Sequence, residues 1–508
     1  MKFELNWSGK QYAKKESYTQ SEFSLIPDKN DSKNWDTTQN LYIEGDNLEV
    51  LKVLQNSYQN RVKIIYIDPP YNTGNDFVYK DSYKDDIENY LSISGQKNEV
   101  GNRINVNIDT NGRYHVDWLN MIYPRIRIAR NLLADDGIIF VSIDDNEVDN
   151  LSKILDEVFG EDNFIAKLVR KTSSGEKTAK PKINKHNDYI LCYCKDIKVI
   201  QDNEIIRGYE RELSGYSNPD NDPNGDWKKD SVLAKIDNGR YGYARYPITN
   251  PYLNITHYPP VYYNEGNRKQ WHYIKETFDK LVKDKKVVFY KNEEDYTGEY
   301  SFYIKKYKSE INDKYNNLSS LNYCSNEYTN ANGTKDISKL FDKGEFDNIY
   351  PKPVILIEDL ISRVKENENA IIMDFFSGSA TTAEAVMNLN LDGGTRKYIM
   401  VQIPQLTIGE SKYKNICEIG KERIKRAGDK ITEENKDKEG IEDLDIGFKV
   451  FRLKNKNELK EEEILYELIL AYGFDLNTEI IKLNNNLYKI NNLEVEIKNN
   501  KIINIKGI

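Results

Sequence analysis

The sequence predicts an α/β fold, with a doubly wound, mostly parallel sheet, an inserted domain and a small C-terminal domain. Three observations support this prediction. Short apolar runs typical of buried strands alternate with helical spacings of apolar residues. One run, 62–67, must leave the sheet at Asp68, because the two prolines that follow lack the N–H of a sheet ladder. The alternation stops near residue 166 and returns after residue 345, which indicates an insertion.

The first part of the chain contains the elements of a parallel sheet. Residues 40–46 form a predicted strand that closes on Gly-Asp, and Asn47 is the predicted N-cap of the next helix. The following elements are the strand that ends at Asp68, a helix at 118–133, a strand at 138–143 and a helix at 147–159.

The second part repeats this pattern and then changes character. The predicted elements are a helix at 353–361, a strand at 370–376, a helix at 381–389, a strand at 398–404, a helix at 416–424, a charged linker at 429–441, a helix at 461–472 and short strands to the end. We therefore expect two halves of one domain at 1–165 and 346–407, an inserted α+β domain at 166–345 and a C-terminal region at 408–508.

The composition excludes several classes of protein. The 508 residues carry a net charge of -9 from 73 basic and 82 acidic side chains, so nucleic-acid binding has to be local rather than general. Neither a signal peptide nor an apolar membrane span is evident, and we expect a cytoplasmic protein. Cys192 and Cys194 alternate within a predicted strand, which favours core packing over a metal site.

A glycine-serine turn, Phe375 to Thr382, joins a predicted strand to a predicted helix. Its backbone N–H groups can approach a ligand closely. It is not a phosphate-binding P-loop, because no Gly-Lys-Ser/Thr follows. By itself such a turn is weak evidence for a site.

Asp68-Pro69-Pro70-Tyr71 is a more specific pattern. It stands at the carboxyl end of a predicted strand, where open α/β sheets bind ligands. A carboxylate and the carbonyl of Pro69 can each accept one N–H of a planar amine such as that of adenine. This pulls the nitrogen toward tetrahedral geometry and directs its lone pair at an incoming methyl group. Tyr71 can stack on the base.

The Asp-Pro-Pro-Tyr and Phe-x-Gly motifs together resemble those of amino-methyltransferases that use S-adenosylmethionine. Their order, with the catalytic motif first and a large insert between, is similar to that of β-class DNA adenine-N6 methyltransferases. The chain most resembles the Mod subunit of type III restriction-modification systems. The stretches that carry this resemblance also include Trp7 to Lys10, Ile43 to Glu49, Gly112 to His115, Tyr123 to Arg125, Val141 to Glu147 and Val401 to Pro404.

The resemblance implies a seven-stranded methyltransferase fold with circularly permuted motif order and S-adenosylmethionine as the cofactor. The implied catalytic residues are Asp68, Pro69, Pro70 and Tyr71. The implied cofactor-binding residues are Asp46, Lys352, Asp374, Phe376, Gly378, Ser379, Thr381 and Gln402. Ala380 departs from the common Gly-x-Gly, and its methyl group would crowd the cofactor if this position needs a positive φ.

An adenine within a duplex is out of reach of Asp68 and has to be flipped out. The 166–345 insert is then the expected target-recognition domain, and 72–115 is a candidate to close over the base. For His115 a local structural hydrogen bond is favoured over a role there. The basic start of the insert predicts phosphate contacts from Lys167, Arg170, Lys171, Lys177, Lys180, Lys182 and Lys185.

Alternatives stay open at this point. The substrate can be RNA adenine or cytosine N4, although Asp68 favours adenine. The chain can instead be a DNA-recognition subunit for a helicase-nuclease, with weak or no methylation, or a solitary methyltransferase. The resemblance implies double-stranded DNA, a homodimer and a Res-type helicase-nuclease subunit as partners, with 408–508 as a candidate contact region.

Overall fold

The structure is a computed structural model that describes residues 4–73, 114–175, 183–210, 213–235, 244–259, 269–295, 299–311, 315–346, 349–407 and 409–507. The chain divides into two compact units. The larger comprises Met1–Arg207 and Leu318–Ile508, and the smaller is Gly208–Asn317.

The first part of the larger unit supplies six strands. Its elements are α1 (Lys10–Glu16), β1 (Phe23–Lys33), β2 (Leu41–Glu44), α2 (Asn47–Tyr58), β3 (Val62–Ile67), α3 (Tyr114–Leu132), β4 (Leu133–Ile143), α4 (Val148–Phe159), β5 (Phe164–Lys171), β6 (Asn187–Cys194) and α5 (Ile197–Asp202). The predicted N-cap of α2 was wrong by one residue. Asp46 is the cap, because its carboxylate accepts from the backbone N–H groups of Leu48 and Glu49.

The smaller unit is built mainly from short antiparallel strands. Its elements are β7 (Tyr209–Glu210), β8 (Trp227–Asp230), β9 (Leu233–Lys235), β10 (Ile248–Thr249), β11 (Thr256–His257), β12 (Lys269–Trp271), α6 (Lys275–Lys283), β13 (Val287–Phe289), β14 (Phe302–Tyr307) and β15 (Tyr315–Asn316). The unit has its own core, in which Trp271 and Phe302 pack with ring centres 5.7 Å apart. An α+β content was expected of the insert, and this unit has it.

The remaining chain completes the larger unit. Its elements are α7 (Asn330–Ser338), α8 (Val354–Ser362), β16 (Ile371–Asp374), α9 (Thr381–Leu389), β17 (Lys397–Gln402), α10 (Ile416–Glu434), β18 (Phe448–Asn455), α11 (Glu461–Ala471), β19 (Ile480–Lys482), β20 (Leu487–Ile490), β21 (Leu493–Lys498) and β22 (Lys501–Gly507). The charged linker was predicted to begin at residue 429, but the preceding helix is longer. Helix α10 continues to Glu434, because Ala427 and Ile431 extend its buried face.

The main sheet has the strand order β1-β18-β2-β17-β16-β3-β4-β6-β5. The six strands from β18 to β4 run parallel, whereas β1, β6 and β5 extend the edges in antiparallel pairing. The described residues thus form nine strands in this sheet, where seven were expected. β3 and β16 are neighbours, so the loops after their carboxyl ends meet at one edge of the sheet.

The sheet is covered on both faces, as a doubly wound fold requires. Alternate residues of β3 show this, because Ile65 and Ile67 belong to one apolar cluster and Ile64 and Tyr66 to the other. Helices α2, α3 and α4 contribute to the first cluster and α8, α9 and α10 to the second. The second cluster also buries Cys192 and Cys194, as expected of core-packing thiols.

Two predicted boundaries need correction. The compact smaller unit is narrower than 166–345, since β5 and β6 hydrogen-bond onto β4 and belong to the main sheet. The region 408–508 is not a separate domain throughout, since β18 pairs with β2 and β1 within that sheet. Among the described helices, none has the length and apolarity that crossing a membrane requires.

Candidate active site

A polar cleft of about 790 Å³ lies at the carboxyl ends of the central strands of the larger unit. The turn after β3, Asp68 to Tyr71, forms one wall and is called the β3 turn. The turn after β16, Phe375 to Thr381, contributes Phe376 and Gly378 to the same cleft and is called the β16 turn. The cleft is also lined by Gln402 after β17, by Lys352, and by Asp144, Asp145, Asn146, Arg170, Lys185, Asp188 and Gln405.

The β3 turn is held by side chains from other elements. The indole N–H of Trp118, on α3, donates to the carbonyl oxygen of Pro70 at 2.7 Å. Asn72 follows the turn with a φ of 59° and is fully buried. Its amide donates at 2.5 Å to the buried carboxylate of Glu147, which also receives His115 Nδ1 at 2.7 Å. The backbone therefore leaves the β3 turn along a fixed path.

Lys352 lines the cleft and binds the β3 turn. Its ammonium donates to both carboxylate oxygens of Asp68 at 2.5 Å and to the Tyr71 hydroxyl at 2.9 Å. The same nitrogen lies 4.8 Å from the centre of the Tyr71 ring. The Lys352 side chain is 10% exposed and that of Asp68 29%, so this ion pair is only partly screened by water.

Tyr71 has a second ionic neighbour. Its hydroxyl donates at 3.0 Å to Asp188 on β6. Burial raises the pKa of the Tyr71 hydroxyl well above its usual range, and the charges of Asp68 and Asp188 raise it further. The hydroxyl therefore remains protonated and acts as a donor to Asp188.

Arg170 does not fit its predicted role in phosphate contact. Its guanidinium is 1% exposed and donates to both oxygens of Asp188, with the Nε contact at 2.8 Å. It also donates to the carbonyl of Tyr328 at 2.8 Å and to Asn330 Oδ1 at 3.0 Å. These protein acceptors engage the group within the interior, so the prediction of a surface phosphate contact was wrong for this residue.

The β16 turn is held partly by groups close to it in sequence and partly by groups from other elements. Asp374 accepts from the backbone N–H of Phe376 at 3.1 Å and from the Thr382 hydroxyl at 2.6 Å. Gln402 Oε1, at the end of the adjacent strand β17, accepts from the backbone N–H of Gly378 at 2.8 Å. Gly378 has a φ of 51°, and a Cβ added there would meet no atom within 4 Å, so its backbone faces open space.

Ala380 has a φ of 63°, the left-handed conformation in which crowding was expected. Its methyl group is fully buried in the apolar cluster under the turn. The methyl group therefore packs into the core and does not crowd the cleft.

Several predicted cofactor residues are buried beneath the turn. Asp374 is 3% exposed, and burial raises the pKa of its carboxyl group to about 7. Ser379 and Thr381 are also buried, and their hydroxyls accept from Arg423 Nη1 at 3.1 and 2.6 Å. These three residues do not line the cleft, whereas Lys352, Phe376, Gly378 and Gln402 do.

Asp46 is likewise committed to the protein interior. It is 2% exposed, caps α2 and accepts from the guanidinium of Arg125 at 3.3 Å. Arg125 also donates to Asn47, and Asn47 donates to the carbonyl of Phe375 at 2.7 Å. This network links the end of β2 to the start of the β16 turn.

The family model described as DNA methylase matches residues 62–482. The chain belongs to this DNA methylase family. It is 32% identical to the StyLTI type III restriction-modification enzyme Mod subunit of Salmonella typhimurium over 495 residues. This matched region is 94% of this chain and 70% of the Salmonella protein. The EcoP15I type III Mod subunit of Escherichia coli is 32% identical over 508 residues, 91% of this chain and 73% of its own. The type II methyltransferase M.KpnI of Klebsiella pneumoniae is 31% identical over 401 residues, 75% of this chain and 84% of its own.

The lysines predicted to contact DNA are distributed unevenly in this methylase. Lys167 is exposed and lies over the Tyr189 ring, Lys171 donates to Asn326, and Lys185 pairs with Asp145 at 3.1 Å beside the cleft. Lys177, Lys180 and Lys182 lie outside the described residues. Most of the 72–115 segment also lies outside them.

Sequence reasoning missed four side chains that organise the methylase cleft: Trp118, Glu147, Asp188 and Arg423. Each is buried or nearly so and acts across long sequence distances. Glu147 stood within a recognised motif, and Asp188 and Arg170 lie at buried positions of β6 and β5, two residues from the buried Ile190 and Leu168. A charged residue on the inner face of a strand is a signal for a buried pair, but it does not name the partner.

Proposed function

We propose that this DNA methylase transfers a methyl group from S-adenosylmethionine to the N6 amine of an adenine in duplex DNA. The position of the Lys352 ammonium carries the proposal. This nitrogen donates to both oxygens of Asp68 and lies 4.8 Å from the centre of the Tyr71 ring. The pocket thus holds an N–H donor between a carboxylate and an aromatic face. An adenine amine in the same place would have the same two neighbours.

The reaction needs the nitrogen lone pair, which in adenine is delocalised into the ring. The Asp68 carboxylate and the Pro69 carbonyl each accept one N–H and draw the nitrogen toward tetrahedral geometry. Lys352 withdraws as the amine arrives, because both donors use the same Asp68 oxygens. The lone pair forms the new C–N bond, and one N–H proton then leaves the methylated amine to solvent. Tyr71 stacks on the base, a contact worth about 1–3 kcal/mol in nucleic-acid sites.

The residues at the β16 turn fit the cofactor. The backbone of Gly378 faces open space, and the Gln402 amide is 2.8 Å from its N–H, so the turn offers polar groups beside a gap. Phe376 and Lys352 also line the cleft. When bound, S-adenosylmethionine supplies a methyl group on a cationic sulfur, which keeps the electron pair of the broken C–S bond. Asp46, Asp374, Ser379 and Thr381 support the turn from beneath.

DNA recognition is assigned to other parts of the chain. The separately folded unit Gly208–Asn317, with its own aromatic core, is the proposed target-recognition domain. Lys167, Lys171 and Lys185 remain candidates for phosphate contacts, because phosphate binding requires accessible cations. For Lys177, Lys180 and Lys182 the same proposal rests on their charge alone.

We further propose that the chain is the modification and recognition subunit of a type III restriction-modification system. The similarity to two type III Mod subunits over more than nine-tenths of this chain supports this. The proposed partners are a second copy of the chain and a Res-type helicase-nuclease, with 408–508 as a candidate contact region. The similarity to M.KpnI, a type II methyltransferase, supports a solitary enzyme as the second candidate. If the gene next to the one for this chain encodes a helicase-nuclease, the type III system is favoured over the solitary enzyme.

Purified protein, plasmid DNA and S-adenosylmethionine labelled in its methyl group test the proposal. Wild-type protein should label the DNA, and Asp68→Ala should abolish labelling. Asp202→Ala, which removes an exposed carboxylate at the end of α5, should behave as wild type. Digestion of the product should yield N6-methyladenine, whereas N4-methylcytosine would contradict the adenine assignment. DNA binding without labelling by wild type would favour a recognition subunit without methylation, and labelling of RNA alone would favour an RNA enzyme.

A further inference from the structure

The Tyr71 hydroxyl is held from two directions. It donates to Asp188 Oδ2 at 3.0 Å and accepts from Lys352 at 2.9 Å. Asp188 lies on β6 and Lys352 precedes α8, so the two partners approach from different parts of the larger unit. A tyrosine whose hydroxyl has two charged partners has little freedom to rotate or tilt its ring.

Asp188 is itself fixed more firmly than a single hydrogen bond requires. Its carboxylate is 2% exposed and binds the Arg170 guanidinium through both oxygens. Arg170 is anchored in turn by the Tyr328 carbonyl and Asn330. The resulting chain of contacts runs from Asn330 through Arg170 and Asp188 to Tyr71.

Stability alone is a weak reason to keep such a pair. Removing two charges from water costs free energy that their attraction often fails to recover, and apolar replacements are frequently neutral or stabilising. Here the pair faces the cleft and ends on the aromatic residue of the β3 turn. The geometry of the Asp188–Arg170 pair therefore matters more for the position of Tyr71 than for the stability of strands β5 and β6.

We propose that Asp188 and Arg170 are positioning residues that fix the Tyr71 ring against the flipped target base. This inference rests on the proposed methyl transfer. Asp188 holds the phenol end of the ring, and Arg170 holds Asp188 in the one orientation that keeps an oxygen toward Tyr71. Strands β5 and β6, which the sequence assigned to the insert, thereby take part in the acceptor site.

A double-mutant cycle tests the proposal. Tyr71→Phe keeps the ring and removes both hydroxyl contacts, and Asp188→Asn keeps the shape and removes the charge. Each single variant should lower kcat about ten-fold, the size expected for loss of a charge-assisted hydrogen bond. In the Tyr71→Phe background, Asp188→Asn should cost less than about two-fold more. Cofactor affinity should stay within about two-fold of wild type in all three proteins, because the β16 turn is untouched.

Thermal unfolding separates positioning from a structural role. Asp188→Asn weakens the buried ion pair with Arg170 in either background, so it should lower Tm in the Tyr71→Phe protein as well as in wild type, while kcat falls only in the wild-type background. Arg170→Lys keeps the charge but loses the two-pronged contact, and its kcat loss should also vanish in the Tyr71→Phe background.

Asp156→Asn is the matched control. Asp156 accepts from the hydroxyl of Tyr193, also on β6, at 2.7 Å, and neither residue lines the cleft. This variant should lower Tm without changing kcat. Independent losses of kcat from Tyr71→Phe and Asp188→Asn in an active enzyme would overturn the positioning role and leave the proposed function intact. An inactive wild-type enzyme would overturn both.

Discussion

The β3 turn and the β16 turn follow neighbouring strands and face one cleft, but they are stabilised in different ways. The β3 turn depends on distant side chains, with Trp118, Asp188 and Lys352 each contributed by a different segment. The β16 turn depends partly on Asp374 and Thr382, which lie beside it in sequence, and partly on Arg423 and Asn47 from other elements. The β3 turn is partly exposed and contains the ionic side chain of Asp68, whereas the β16 turn is mostly buried and contains no ionic side chain of its own.

Under the proposed function, this difference corresponds to two tasks. A turn that grips a base brought in from DNA needs groups that can exchange partners, and Asp68 has in Lys352 a partner that the base can replace. A turn that receives a cofactor through its backbone needs a constant shape, and short local hydrogen bonds provide it. Perturbing the two turns separately should therefore produce separable defects, and the following three experiments examine this from the largest expected effect to the smallest.

The largest effect should come from the pH dependence of the β16 turn. Burial raises the pKa of Asp374 to about 7, so the folded state holds a proton that the unfolded chain releases near its usual pKa. The stabilisation by this group is complete below about pH 4 and is lost as pH rises to about 7. Between pH 5 and pH 8 the contribution of Asp374 to the free energy of unfolding should fall by about 2–3 kcal/mol.

Comparing wild type with Asp374→Asn in urea unfolding isolates this effect. Asparagine is neutral at both pH values and can still accept from the Phe376 N–H. When the pH is raised from 5 to 8, the free energy of unfolding of the variant should therefore increase by about 2–3 kcal/mol relative to that of wild type. Asp202→Asn, at an exposed position, is the control and should show no such gain. A pH-independent difference between wild type and Asp374→Asn would mean that the turn is not held by a protonated carboxyl group.

The same contrast explains what could be predicted from sequence. The strand, turn and helix around Phe376 were predicted closely, with α9 found at Thr381–Leu389, because apolar spacing and local hydrogen bonds determine them. The meeting of the two turns also followed from a parallel sheet with β3 beside β16. Both predictions depend on patterns within about ten residues and on a general rule of topology.

The partners of the β3 turn could not be predicted. Asp188 lies 117 residues from Tyr71, and Lys352 lies 284 residues from Asp68. Sequence spacing carries no information on such contacts, since they depend on how distant segments of the chain come together around the sheet. For the same reason Arg170 was assigned to DNA with the surrounding lysines, although its position on β5 is buried and those on either side are only partly exposed.

A moderate effect should follow from removing the Gln402 contact. Gln402→Leu takes away the acceptor 2.8 Å from the Gly378 N–H, a neutral hydrogen bond worth about 1 kcal/mol. Titration calorimetry with S-adenosylhomocysteine should show about five-fold weaker binding. At saturating cofactor, kcat should stay within about two-fold, because the β3 turn is unchanged. Gln402→Glu keeps an oxygen for Gly378 and should retain the affinity. A fall in kcat with unchanged affinity would contradict the separation of the two turns.

The smallest effect is expected at the other turn, from Trp118→Phe. The variant keeps a buried aromatic ring but removes the donor to the Pro70 carbonyl, so the β3 turn gains freedom and kcat should fall about three- to five-fold. Binding of S-adenosylhomocysteine should not change. Trp7→Phe is the matched control, because the Trp7 indole N–H donates at 2.8 Å to Asn120 on the same helix, α3. If both variants lower kcat equally, α3 acts through its overall packing. If only Trp118→Phe lowers kcat, the single hydrogen bond to the β3 turn is the cause. The distant side chains that hold this turn then each make their own contribution to the rate.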